Sequence, residues 1–175
     1  MDTTQASGAE VVVCRLSRAS VSDIADIEAE SNSPPWSRKL FSDEFQHDYA
    51  RMYGARLHGR LVSYLLLHTV LDEAHVVKFG VLMHYRGRGI GRALMREVLL
   101  ELHQAAVRWV GLEVRKSNLI ARRLYESFGF IEAGIRERYY SDNSEDACLM
   151  NLTMRDFVEL DAQGLAAQTE LRKSA

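Results

Sequence analysis

Arg86-Gly87-Arg88-Gly89-Ile90-Gly91-Arg92 separates a strand-like run, Ala74 to Val81, from the strongest helical pattern in the chain, Gly89 to Ala106. In that helix Ile90, Leu94, Val98, Leu99 and Leu102 recur at helical spacing and make a broad apolar face. Glycines let the backbone approach a ligand with no Cβ in the way. A helix N-terminus aims unpaired N–H groups and a partial positive charge outward. Arg86, Arg88 and Arg92, with Arg96 one turn on, add countercharge. These are the parts of a phosphate cradle. The loop is not a Walker A motif, because no Gly-Lys-Ser/Thr follows it. It is not the dinucleotide fingerprint either, because Arg92 stands where the last glycine is needed. The bland alternative is an Arg/Gly surface turn that caps a helix.

Working outward from this junction, Val11 to Leu16 reads as a strand and Ser20 to Glu30 as a short helix with Ile24 and Ile27 inward. Pro34-Pro35 makes a rigid loop in SNSPPWS. Ser37 caps a second helix carrying Leu40, Phe41 and Phe45. Tyr53 to Leu57 and Arg60 to Leu71 form a hairpin about His58-Gly59, and Asp72-Glu73 turns the chain into Ala74 to Val81. Trp109 to Arg115 is a strand. Ser117 or Asn118 caps a helix that Gly129 ends in the left-handed conformation. Phe130 to Arg136 and Ala147 to Met154 are two more strands across the polar turn SDNSED. The order β-α-α-β-β-β-α-β-α-β-β implies an α/β fold, a mixed sheet with helices on its faces. Residues 11–154 form the expected domain, with 1–10 and 155–175 as peripheral tails.

Composition narrows the class. The chain has 175 residues, long enough to bury roughly 70 % of its unfolded surface in one core. Hydrophobic residues make up 47 % and the formal charge is −2, so no global cationic field holds nucleic acid. Cys14 and Cys148 are far apart and show no CxxC spacing. A disulfide framework is not expected, and a reducing, cytoplasmic setting fits. MDTTQASGAE has no apolar run of the signal-peptide kind. Leu61 to Leu71 is about half a bilayer span, so no membrane segment is expected. The six histidines show no HxH or i,i+4 spacing, and no metal is assigned. Nothing in the chain calls for more than a monomer or weak dimer.

Arg86-x-x-Gly89-x-Gly91-Arg92-Ala93-Leu94 resembles the acetyl-CoA signature of the GNAT N-acetyltransferases. The resemblance is reinforced by Leu112-Glu113-Val114-Arg115-x-Ser117-Asn118, by Ala121, and by Leu124-Tyr125-Glu126-Ser127-x-Gly129-Phe130. Pro35-Trp36-Ser37, Leu71-Asp72-Glu73-Ala74, Arg136-x-x-Tyr139-Tyr140 and Glu145-Asp146-Ala147-x-x-Met150 extend it. Within the family these features are most similar to the ribosomal-protein-alanine N-acetyltransferases, which modify protein α-amino groups. The resemblance implies a mixed, mostly antiparallel twisted sheet of about seven strands flanked by about four helices. It implies acetyl-CoA as co-substrate, with Gly87, Arg88, Gly89, Ile90, Gly91 and their neighbours Arg86 and Arg92 around its pyrophosphate. It also implies that Phe79, Gly80 and Val81 pair with the pantetheine arm as an added strand, and that Val81 orients the acetyl carbonyl. Phe79 departs from the usual aliphatic residue and either narrows the slot or faces the core. Asn118 is a helix cap by position and a coenzyme contact by resemblance.

Acetyl transfer needs a neutral amine, a polarised thioester and a proton for the departing thiolate. In WVGLEV, positions 109, 111 and 113 share one face of the strand and 110, 112 and 114 the other. Glu113 thus sits at the end of an apolar strand, where desolvation is expected to raise its pKa and suit it to proton uptake. The alternative is a strand-end glutamate paired with Arg115 or another arginine. Tyr125 reads as a core tyrosine by spacing. By resemblance it is the acid that protonates the coenzyme sulfur. Arg115, Lys116, Arg122 and Arg123 are either a solvated helix face or added countercharge. Tyr139 and Tyr140, with the acids from Asp142 to Asp146, look like an acceptor-side hairpin suited to a basic peptide. Trp36 is the expected opposite wall. The acceptor implied is a protein or peptide N-terminus, in bacteria the N-terminal alanine of a small-subunit ribosomal protein. A small amine, an amino acid or a lysine side chain is the second reading, and a non-catalytic acetyl-CoA-binding subunit the third. No direct nucleic-acid contact is expected.

Overall fold

The computed structural model of the chain describes residues 4–6 and 9–173. The parts of the expected peripheral ends at 1–3, 7–8 and 174–175 lie outside the described residues. In chain order the elements are β1 (Thr4–Ala6), β2 (Ala9–Arg15), α1 (Val21–Ser31), α2 (Arg38–Glu44), β3 (Ala50–Leu57), β4 (Arg60–Val70), β5 (Glu73–Val81) and α3 (Ile90–Gln104). There follow β6 (Trp109–Arg115), α4 (Leu119–Glu126), β7 (Ile131–Tyr140), β8 (Glu145–Thr153) and α5 (Met154–Lys173).

Among the described residues the strands form one sheet in the order β1-β2-β3-β4-β5-β6-β8-β7. Every neighbouring pair is antiparallel except β5 and β6. The expected mixed, mostly antiparallel sheet is therefore present. The turns explain the pairing. His58 and Gly59 both adopt positive φ, +50° and +80°, which matches the twist of the β3–β4 hairpin. The β4–β5 turn falls one residue earlier than expected. Val70 pairs with Glu73, so Leu71 and Asp72 make the loop, and Leu71 stands 93 % exposed.

Both faces of the central strands are covered. Gly80 meets Tyr64 and Ser31 of α1, whereas Gly91 of α3 meets Phe79 and Val81 from the other side. Leu65, Leu66 and Leu67 are all buried for this reason. Leu124 of α4 lies near Gly91, and α5 packs on α3 and β8, so α3, α4 and α5 share one face and α1 and α2 the other.

The ends differ from expectation. β1 adds a short strand at one edge. α5 makes a fifth α-helix among the described residues, because Met154 and Phe157 supply apolar anchors; Phe157 is 1 % exposed and lies 6.3 Å, ring to ring, from Phe128. Asp161 accepts from both Arg96 Nε and Nη2, at 2.7 and 2.8 Å. The segment after 154 is thus part of the packed body at least to Asp161. The sequence leaves open whether Phe157, Leu160 and Leu165 pack as a short helix or meet a partner; the side chain of Leu165 lies outside the described residues. No helix among the described residues is long and apolar enough to cross a membrane.

Candidate functional site

The parallel pair β5–β6 is short. Glu73 to Val76 pair with Trp109 to Leu112, and there the ladder stops. β5 runs on to Val81 and β6 to Arg115, but only their outer neighbours hold them. The strands part at a bulge. Leu66 pairs with Lys78 and Leu67 with Val76, which leaves Val77 as the extra residue that bends β5 away. The inner edge of β5 from Val77 to Val81 then has no strand partner, and an extended chain fits it as an added strand.

The glycine-arginine loop stands at the far end of that edge. Gly87 and Gly89 take φ of +73° and +77°, and a Cβ built on either meets nothing within 4 Å. The loop therefore offers bare backbone to open space. Gly89 is the N-cap of α3 and no side chain caps the helix, so its first-turn N–H groups remain available. Gly91 is tight instead: its Cβ would come within 3.2 Å of Phe79 Cζ and 3.4 Å of Val81 Cγ2. The loop and the end of β5 are in contact, and Phe79 faces the core side under α3.

The arginines divide. Arg88 and Arg92 are exposed, lie over the Tyr85 and Phe128 rings, and have no acidic partner among the described residues. Arg86 turns back, its Nε donating to the Val81 carbonyl at 3.0 Å. Arg96, expected as countercharge, is engaged by Asp161 and Glu97. The second basic cluster is also largely engaged. Arg115 pairs with Asp142 and Glu145, Lys116 with Asp146, and Arg122 with Glu132. Asn118 caps α4, its Oδ1 accepting from Ala121 N at 3.1 Å.

Glu113 is the first residue of β6 past the last pair with β5. Its side chain is only 9 % exposed. Oε2 lies 2.6 Å from His75 Nε2, and Oε1 forms an ion pair with Arg136 Nη1 at 2.9 Å. The expected rise in pKa is overturned. The His75 hydrogen bond outweighs burial, and with Arg136 it holds the carboxyl below its ordinary value. Tyr125 is buried, and burial pushes its phenol well up, so the hydroxyl stays protonated. No described residue hydrogen-bonds that hydroxyl. Burial pushes Tyr140 to about 12.

Tyr139 and Tyr140 stand edge to face at 5.2 Å, beneath Arg136 and Arg115 respectively. The acids of their hairpin were expected to face a basic peptide. They are spent inside the protein. Asp142 accepts from Arg115, Asp146 from the Arg138 amide, and Glu145 from the Ser117 amide; Ser117 first, then Arg115 and Asn143, hold Glu145 down to about 2. Arg115 also donates to the Ser33 carbonyl, which ties the hairpin to the α1–α2 loop. Trp36 is half-buried in that loop, against Phe41 and under Lys78 Nζ at 5.2 Å.

Three neighbours escaped the sequence reading. Glu28 is fully buried, accepts hydrogen bonds from Tyr64 Oη, Asn32 Nδ2 and the Trp36 amide at 3.0 Å, and forms an ion pair with Lys78 Nζ at 2.9 Å. Its signal was an acid four residues after Ile24, on the apolar face of α1. Lys78 and His75 share the α1 face of β5, and only the bulge at Val77 reveals that. Strict alternation would have put them on opposite faces.

The GNAT acetyltransferase family model matches residues 21–130. A putative [ribosomal protein bS18]-alanine N-acetyltransferase of Bacillus subtilis is 34 % identical, covering 78 % of this chain and 91 % of that protein. The N-alpha-acetyltransferase RimI of Mycobacterium tuberculosis is 39 % identical over 80 % of this chain and 90 % of its own. The crystal structure of the ribosomal-protein-S18-alanine N-acetyltransferase from Escherichia coli superposes with a TM-score of 0.78 at 34 % identity, covering 82 % of this chain and 94 % of that one.

Proposed function

Because this chain belongs to the GNAT acetyltransferase family, whose members use acetyl-CoA, we propose that it moves the acetyl group of acetyl-CoA onto a protein α-amino group. The acceptor we favour is the N-terminal alanine of a small-subunit ribosomal protein, as the names of its relatives suggest. The catalytic unit on this reading is 11–154, buttressed by α5.

The parting of β5 and β6 carries the proposal. It opens an unpaired strand edge that leads from the α3 N-terminus to Glu113. The bare backbone at Gly87 and Gly89, the α3 amides and the unpaired Arg88 and Arg92 fit a diphosphate. Phe79, Gly80 and Val81 would hold the pantetheine arm, with Asn118 as a further contact. The amine lone pair attacks the thioester carbonyl carbon, the C–N bond forms and the C–S bond breaks. The ammonium loses two protons in all. Glu113 draws one away, directly or through water. The other replaces the proton that Tyr125 gives to the sulfur. Most of the gain comes from holding both reactants in place.

A free α-amino group has a pKa of about 7.7–8.0, against about 10.4 for lysine. A carboxylate held low matches the former far better. The acids of the β7–β8 hairpin already have partners, which disfavours a polycationic small amine. Tyr139, Tyr140 and Trp36 remain to frame a peptide backbone. The test uses acetyl-CoA and two peptide pools, one with free N-termini and blocked lysines, the other the reverse. Acetylation by mass on the first pool alone supports the proposal. Product on the second alone overturns it. Tight coenzyme binding with no product on either points to a non-catalytic subunit.

A further inference from the structure

We propose that His75 is a positioning residue for the transfer reaction: it clamps Glu113 at the apex of the opened sheet. The inference rests on the reading of Glu113 as the group that draws the amine proton.

Val76 and Leu112 are the last residues of β5 and β6 joined by the backbone ladder. One step back on β5 and one step forward on β6 stand His75 and Glu113. Their side chains meet on the α1 face, Nε2 to Oε2 at 2.6 Å. This contact is a side-chain rung set at the point where the backbone rungs end. It spans the two strands whose separation makes the coenzyme slot.

The other partner of Glu113 pulls elsewhere. Arg136 sits on β7, two strands away in the sheet, and its side chain is 53 % exposed. Without His75, the remaining ion pair of the carboxylate among the described residues is the one to Arg136, on the side away from β5. The His75 side chain is 47 % exposed and sits on the rim of β6. Its Nδ1 faces Gly111, where an added Cβ would lie 3.4 Å away, at the edge of an open cavity of about 400 Å³ that Trp109 and Asn151 also line. The absence of a side chain at Gly111 leaves room for the ring beside β6. A misplacement of about 1 Å at a reacting group can cost on the order of a hundredfold in rate.

The expected result is a fall in kcat of about ten- to a hundredfold for His75→Ala with the α-amino peptide, with acetyl-CoA affinity unchanged. His75→Gln keeps an N–H donor and should recover most of that loss. In a double-mutant cycle, His75→Ala added to Glu113→Gln should cost nothing further, because the clamp then has nothing to hold. Wild-type kcat in His75→Ala overturns the proposal. So does His75→Gln being as slow as His75→Ala, or His75→Ala slowing Glu113→Gln as much as it slows the wild type. If Glu113→Gln itself keeps full kcat, the reading of Glu113 fails instead, a separate outcome.

Discussion

Glu113 carries two nitrogen partners, His75 and Arg136, on one carboxylate, and that decides how it should respond to change. Glu113→Gln keeps the shape and removes the charge. Turnover should drop by about a hundredfold or more, in the range of lost general-base assistance, while acetyl-CoA affinity by calorimetry stays within about twofold. A large affinity loss would show that the residue serves the coenzyme instead. The pH dependence has a definite sign. The folded-state pKa lies below the unfolded one, so its stabilisation is present above the ordinary carboxylate range and is lost as pH falls through the lower folded value. Urea melts of wild type and Glu113→Gln should differ at pH 7 and converge as the pH falls below about 4. The position of Glu113 was legible from strand alternation. The direction of its pKa was not, because its partners come from β5 and β7, at sequence separations no local pattern reports.

At the scale of elements, the two ends of the site answer to different physics. Gly89 is left-handed, and its missing side chain faces open space. Gly89→Val would strain the backbone and fill the cradle, so acetyl-CoA binding should weaken by more than about tenfold, about 1.4 kcal/mol. Unchanged affinity would refute the cradle. α5 is held by packing instead. Phe157→Ala should cost about 3–5 kcal/mol in denaturant titration, as a buried phenylalanine does. The helices from 20 to 128 were readable from caps and periodicity: Ser37 and Asn118 accept from Leu40 and Ala121 amides, and Gly129 has φ +93°. α5 was readable only as one of two options, a short packed helix or a partner contact, because its apolar face is sparse, with Phe157 its one large fully buried anchor before 165. The β5 bulge was invisible, since Val77 carries no mark of its own.

For the whole molecule, ligand linkage gives the broadest check. Acetyl-CoA at about a hundred times its Kd should add about 2.7 kcal/mol, a rise in Tm of roughly 5–11 °C for a chain of this size. Acceptor peptide alone should do much less. The sheet order was legible only in part. Hairpins β3–β4 and β4–β5 follow from short turns, and β7–β8 from its polar tip. The insertion of β8 between β6 and β7 needs contacts far apart in the chain, such as Arg115 opposite Ala147. The global charge of −2 was a poor guide to the site, where cations and acids are arranged residue by residue.

Arg115 gives this arrangement a mechanical side. One guanidinium lies 3.9 Å from the Tyr140 ring centre, grips Asp142 and reaches the Ser33 carbonyl. One side chain thus ties the hairpin tip to the proline loop, and on the proposed reading these two segments flank the peptide entrance. In Arg115→Ala the two should breathe independently, with faster amide exchange at 141–145 and looser discrimination among N-terminal sequences.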